Sequence, residues 1–275
     1  MTKPITTQIA PLPAAKAAWI RELMRDRKAR DKERAFVLEG EKPIRERHRG
    51  GAPGFQALVV TPEFIESCEQ AYRRALEKGP TPLYLARSSQ FDRLSDLQTS
   101  QGILAVVAQP RWDESAIFAR PTLFGAYGDR LQDPAHVGSM IRSALAFGVD
   151  ALWLSPDSVD VWNPKVVRGT AGAVLSLPVF SRREMATLLP GECVVMAAVP
   201  PSSKSRPIQA IQERPAKLLL AFGNESSGLS DEILRQASLQ FHIPLRSAVE
   251  SLNVASAAAI AMYHFSNLKE KEGPG

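Results

Sequence analysis

Cysteine is scarce in this 275-residue chain: Cys68 and Cys193 are the two it has, far apart and without spaced partners. That excludes a zinc ribbon or a disulfide scaffold and makes a reducing compartment the default expectation. Long apolar runs are missing too. No stretch reaches the roughly 20 residues of a membrane-spanning helix, and the first residues lack the short hydrophobic core of a secretory signal. The expectation is a cytoplasmic protein with no membrane association and no metal centre. Two common phosphate-binding patterns are also absent. The stretch 222–230 continues Gly228, Leu229, Ser230 where a P-loop would have Lys-Ser, and no G-x-G-x-x-G follows a suitable strand. A Rossmann-like oxidoreductase is therefore the weakest functional alternative.

What is present suits a globular protein. Hydrophobic residues make up 44% of the chain, and the length is enough for two compact domains. The net charge of +5 permits a polyanionic partner without proving one. Its distribution says more: Arg21, Arg25, Arg27, Lys28, Arg30, Lys32 and Arg34 crowd one stretch, followed by Lys42, Arg45, Arg47 and Arg49. A solvated face is the ordinary explanation of such a run; phosphate binding is the sharper one.

Residues 1–13 read as a loose arm. Ala14–Arg34 reads as one surface helix and Pro62–Glu77 as another. Short apolar strands at 35–38, 57–60, 83–86 and 102–108 complete an α/β unit over 1–110. Pro110–Arg120 reads as a linker. From 120 to 275, strands at 122–127, 151–154, 174–177, 194–199, 218–222 and a last one from 241 that ends at Pro244 alternate with helices, which argues for a mostly parallel, two-sided α/β sheet.

Polar chemistry gathers in three places of this second half. Asp133 and Pro134 form a helix start. Val137, Met140, Ile141, Ala144, Leu145 and Gly148 form its inward stripe, and His136, Ser139, Arg142 and Ser143 its polar edge. Arg142 is either a surface charge or a fork for a phosphate or a developing oxyanion. After the strand at 218–222, Gly223 opens a polar loop at the carboxyl end of a strand, where open α/β sheets bind ligands. Last, Phe241, Ile243 and Leu245 lead past Pro244 to a helix rich in alanine and serine. Glu250, Ser251 and Asn253 stand at its entrance, with Ser251 as the expected cap.

Together these stretches resemble the signature motifs of the SpoU (TrmH-like) RNA ribose 2′-O-methyltransferases of the SPOUT superfamily. They are DPAHVGSMIRSALAFGVDAL at 133–152, FGNESSGLS at 222–230 and IPLRSAVESLNVASAAAI at 243–260, with NPKVVRGTAGAVLSLPV at 163–179 similar to the connecting segment. The resemblance covers about residues 120–268. It implies a SPOUT domain with a parallel sheet and a deep trefoil knot over 120–275, homodimerisation, and S-adenosylmethionine as cofactor, contacted by Gly223, Ile243 and Leu252. By motif position the catalytic set is Arg142, Glu225, Ser251 and Asn253. The guanidinium stays protonated, so stabilising an emerging alkoxide suits it better than acting as a base.

The family usually has asparagine at the place of His136 and glycine near Ser226, Ser247 and Ala248. The 1–110 unit has the size and character of the ribosomal-protein-like RNA-binding domain of some relatives. RNA contacts are therefore expected at Arg25, Arg27, Lys28, Arg30, His136, Lys165 and Arg168. The implied activity is methylation of ribosomal RNA, 23S rRNA foremost. A tRNA 2′-O-methyltransferase and a catalytically silent RNA-binding ribosome-assembly factor are the alternatives.

Overall fold

The computed structural model describes residues 9–49, 54–97, 99–188, 193–246 and 251–270. The chain divides into two compact units, residues 1–110 with 162–164, and residues 111–161 with 165–275.

The first unit begins with β1 (Ala10–Pro11) and α1 (Ala14–Arg25), followed by α2 (Arg27–Glu33) and β2 (Ala35–Glu39). The single helix expected over 14–34 is thus two. Asp26 is extended, and its side chain accepts from the Lys28 amide at 2.8 Å as the N-cap of α2; aspartate favours that position over a helix interior. Arg30 lies under the bend, 3% exposed. Its guanidinium donates to the Leu23 carbonyl at 2.7 Å, and Gln109 donates to its own carbonyl at 3.0 Å. A charge seated on the last carbonyls of α1 satisfies acceptors that the helix leaves open.

The unit continues with α3 (Glu41–Arg49), β3 (Phe55–Val60), α4 (Pro62–Ser67), α5 (Gln70–Lys78), β4 (Leu83–Leu85), α6 (Ser88–Phe91) and β5 (Ile103–Ala108). The helix expected over 62–77 is likewise broken, where Cys68 is extended. The sheet order is β1-β4-β3-β5-β2. The β1–β4 and β4–β3 pairs are parallel, while β5 runs antiparallel to both β3 and β2. Ile20, Leu23, Val37, Val59, Phe91 and Val106 fill the layer between α1 and the sheet.

In the second unit α7 (Glu114–Phe118) occupies the stretch expected to be a linker. Glu114 accepts from the Trp153 indole at 2.8 Å and pairs with Arg183 at 3.1 Å, and Ile117 is buried. Then follow β6 (Leu123–Gly128), α8 (Pro134–Ala146), β7 (Ala151–Leu154), α9 (Pro164–Gly169) and a 3-10 turn at Ala173–Leu175. A strand was expected at 174–177. Instead Ala171 and Gly172 take positive φ values of 49° and 95° and coil the chain, so the strand, β8 (Val179–Phe180), starts later. The remaining elements are α10 (Met185–Leu188), β9 (Val194–Ala198), β10 (Ser205–Pro207), a 3-10 turn at Ile208–Ala210, β11 (Glu213–Arg214), β12 (Lys217–Phe222), α11 (Asp231–Gln236), β13 (Leu239–His242), α12 (Val254–Ser266) and β14 (Lys269–Glu270).

Seven strands form one sheet in the order β10-β13-β9-β12-β6-β7-β8, every pair parallel. The inner strands β6, β7 and β12 are buried almost throughout, as expected of a parallel sheet covered on both faces. β12 lies between β9 and β6, and β13 between β10 and β9, so late strands sit among earlier ones. A short parallel pair, β11 with β14, holds the end of the described chain, with Arg214 on Glu270 at 2.6 Å.

Candidate active site

Strands β9, β12 and β13 lie side by side and end at one edge of the sheet. Beyond their carboxyl ends is a cavity of about 600 Å³, lined by 198–202 at the end of β9, 222–229 after β12, and 240–243, 245 and 251–252 at and after the end of β13, and closed by the start of α12. That volume lies in the usual range for small-molecule sites, about 300–1,000 Å³. Gly223, Glu225, Ile243, Ser251 and Leu252 all line it. Residues far apart in sequence thus share one cavity because parallel neighbours present their following loops on the same side.

The loop after β12 is tied closed. Asn224 and Gly228 exchange backbone hydrogen bonds at 3.1 and 2.9 Å. The Asn224 side-chain oxygen accepts from the Ser226 amide at 3.0 Å and the Ser226 hydroxyl at 2.7 Å. Its amide nitrogen donates to the Arg130 carbonyl at 2.9 Å. From the loop after β6, the Arg130 guanidinium donates to the Gly228 carbonyl at 3.0 Å, and the buried Asp129 carboxylate accepts from the Ser230 amide at 2.8 Å. Asn224, Arg130 and Asp129 were not singled out from sequence. Arg130 and Asp129 act through long-range partners about a hundred residues away, and no local spacing signals that. Gly223 has a steric reason to be glycine: a Cβ there would stand 2.2 Å from the Gly228 carbonyl carbon and 2.3 Å from the Leu229 nitrogen. Backbone occupies the space of a side chain, so the loop lies directly on the strand end.

The first motif meets the second through a histidine. His136 Nδ1 is 2.8 Å from a Glu225 carboxylate oxygen and 3.4 Å from Asp133, with the ring nitrogen off the line of a hydrogen bond. Asp133 caps α8 through the Ala135 amide at 2.7 Å. Along α8, Gly138 approaches Gly169 of α9 so closely that a Cβ would meet the Gly169 Cα at 2.8 Å. Val137, Met140, Ile141 and Ala144 face inward as expected; Leu145 does not, being 40% exposed.

Arg142 is exposed on α8. Its guanidinium has no hydrogen bond or ion pair among the described residues, and it is not part of the cavity wall. Asn253, also outside the wall, takes the capping role expected of Ser251: its side chain accepts from the Ser256 amide at 2.8 Å, and α12 starts at Val254. Ser251 is left to face the cavity. Glu250, Ser247 and Ala248 lie outside the described residues.

Of the residues expected at RNA, Arg25 and Lys28 are exposed and Arg27 half-buried on the first unit, and Lys165 is exposed and Arg168 half-buried on α9. Arg30 is the exception. Its guanidinium is buried on backbone carbonyls, so it is withdrawn from the expected RNA surface. Among the described residues no group of three or more His, Cys, Asp or Glu could hold a metal. Burial pushes the Cys193 thiol up to about 11, which leaves it protonated and unreactive at neutral pH.

Comparison with known proteins agrees with this geometry. The family model described as SpoU rRNA Methylase family matches residues 126–263, half of the chain. The chain belongs to the SpoU rRNA methylase family. A second model, the MRM3-like substrate binding domain, matches residues 19–105. A relative of Bacillus subtilis, named 23S rRNA (guanosine(2553)-2′-O)-methyltransferase RlmP, is 32% identical over 240 residues, covering 86% of this chain and 91% of its own. Among solved structures, the SpoU methyltransferase AviRb of Streptomyces viridochromogenes, in complex with AdoMet, superposes with a TM-score of 0.78 at 25% identity, over 91% of this chain and 96% of its own. An AdoMet-bound rRNA methyltransferase from Sinorhizobium meliloti shares the fold, with a TM-score of 0.78 at 22% identity over 93% of this chain and 95% of its own.

Proposed function

We propose that this chain is an S-adenosylmethionine-dependent RNA ribose 2′-O-methyltransferase acting on ribosomal RNA, with 23S rRNA as the foremost substrate. The observation that carries the reading is the single cavity formed by the loops after β9, β12 and β13, on which Gly223, Ile243, Leu252, Glu225 and Ser251 converge. The cavity fits the cofactor. Leu229, Leu234, Ile243, Leu245 and Leu252 supply apolar wall, Gly223 brings backbone to the surface, and Glu225 and Ser251 offer polar atoms. When bound, S-adenosylmethionine supplies an electrophilic methyl group for a ribose oxygen and departs as a neutral thioether.

In this reading Arg142 stabilises the 2′-oxygen as its proton leaves, by charge and by directed N–H donors. The proton passes to a phosphate or to water, because a guanidinium is not a base at neutral pH. Glu225 and His136 hold the first two motifs together beside the reacting oxygen, with His136 doing what an asparagine amide does elsewhere in the family. Holding the reactants in line supplies much of the rate.

The reading includes a homodimer. Three large apolar side chains stay exposed on α8 and α12: Leu145 at 40%, Ile260 at 41% and Tyr263 at 59%. The two helices pack together, with Phe147 and Tyr263 edge to face at 5.6 Å. A second copy on this face would cover them and bring Arg142, on the same helix as Leu145, to a cavity other than its own. The reading also includes the deep trefoil knot, in keeping with β12 and β13 lying among earlier strands, an RNA-binding role for residues 1–110, a catalytic domain over 120–275, and work in the cytoplasm.

The test is transfer of labelled methyl from S-adenosylmethionine to total RNA, with the ribose methylation sites mapped. Methylation of one 23S nucleotide is expected. RNA binding with neither transfer nor cofactor affinity would favour a silent assembly factor, and methylation confined to tRNA would move the substrate.

A further inference from the structure

The first unit carries a concavity of its own. A hollow of about 250 Å³ opens between the last turns of α1 and the turn that follows α6. Arg21 and Arg25, one helical turn apart, line it with Arg93, and so do Asp92 and Asp96. Its apolar side is the buried pair Met24 and Leu94.

These charges do not satisfy one another. Among the described residues no ion pair joins any of the three arginines to either aspartate; the one hydrogen bond from these guanidiniums is Arg21 Nε to its own helix at Ala17, 3.3 Å. Here strong donors and strong acceptors border one space and are both left open. A bare anion would answer the arginines and be repelled by the aspartates. An acidic peptide would do the same. A nucleotide answers both, because its phosphate accepts from guanidinium and its base edge carries N–H donors.

The turn is held in place for such a role. The Ser95 hydroxyl bonds to Glu39 and accepts from the Leu97 amide at 3.0 Å, and Leu97, just beyond Asp96, keeps 38% of its surface exposed.

We propose that this hollow binds one unstacked nucleotide of single-stranded RNA. Arg25 and Arg93 take its phosphates, and Asp92 and Asp96 accept from its base edge. Guanine, which presents N1–H and the N2 amino group side by side to a carboxylate, is the base it favours. This rests on the RNA-methyltransferase reading and adds to it a place on the first unit where the substrate is gripped and its sequence read.

The experiment is fluorescence anisotropy of the full chain with short labelled single-stranded RNAs, one rich in guanosine and one free of it, over a series of salt concentrations. Arg25→Ala with Arg93→Ala is expected to weaken binding about tenfold. The same variant should flatten the log–log salt dependence by about 1.4, from two phosphate contacts of about 0.7 each. Arg25→Lys with Arg93→Lys should keep most of the slope. Asp92→Asn with Asp96→Asn should abolish the preference for the guanosine-rich RNA and leave the slope alone. S-adenosylmethionine affinity and melting temperature should match the wild type in all of them, and Arg93→Ala alone serves if the double variant folds poorly. Wild-type affinity and slope in the folded arginine variant would overturn the proposal. If the wild-type chain bound neither RNA nor S-adenosylmethionine, the methyltransferase reading itself would fall; if it bound both and the arginine variant matched it, the hollow alone would.

Discussion

At position 142 a guanidinium stands exposed, with no hydrogen bond or ion pair among the described residues, outside the wall of its own chain's cavity. An exposed side chain with no hydrogen bond or ion pair among the described residues has little to lose in stability when it is shortened. Arg142→Ala should therefore leave the melting temperature and S-adenosylmethionine affinity near wild type while methyl transfer falls about a hundred- to a thousandfold, the usual effect of removing one transition-state donor. Lysine should not restore the rate, because it lacks the planar fork. Single-turnover transfer beside calorimetry separates these outcomes, and near-wild-type transfer by Arg142→Ala would remove the role assigned to it. Arg142, Glu225 and Ser251 were legible as candidates because their motifs are local. Asn224, Arg130 and Asp129 were not, because what makes them matter is a set of bonds between the loops after β6 and β12.

At the scale of elements, the strand-to-helix loop after β12 has no slack. Gly223→Ala would place a methyl group inside the backbone of Gly228 and Leu229, so the loop must lift from the strand end. S-adenosylmethionine affinity should drop on the order of tenfold to a hundredfold, the cost of overpacking a tight site, with a lower melting temperature. Titration calorimetry checks the first and thermal denaturation the second; unchanged affinity would mean that the cofactor does not lie on this loop. The apolar strands 35–38, 57–60, 102–108, 151–154 and 218–222 were readable from composition alone. The breaks at Asp26 and at Cys68 were not. Both lie inside otherwise helical stretches; Asp26 shows as a cap only once its side chain is seen on the Lys28 amide, and at Cys68 the helix stops without any side-chain cap on the one that follows. Val174 misled for a similar reason: its apolar neighbours suit a strand, but the positive φ values before it decide the chain direction.

At the scale of the whole molecule, the proposed second copy explains two features together, an arginine away from its own cavity and an uncovered apolar face on α8 and α12. Leu145→Asp with Tyr263→Asp should leave each chain folded, since both residues are exposed. It should convert a dimer into a monomer by light scattering and abolish methyl transfer, with cofactor binding retained in part. A wild-type chain that is monomeric at working concentration would exclude the dimer.

The amino-acid sequence by itself determined the α/β character of both halves, the apolar strands, the capped start of α8 at Asp133, and the three polar stretches that carry the family resemblance. Each of these is written in neighbouring residues, where period, composition and capping act over a few positions. Only the tertiary structure decided that Arg30 is an internal strut, that Asn253 and not Ser251 caps α12, and that the loops after β9, β12 and β13 enclose a single cavity. Those are matters of strand order and of which backbone lies against which, and they arise from contacts between residues tens to a hundred positions apart.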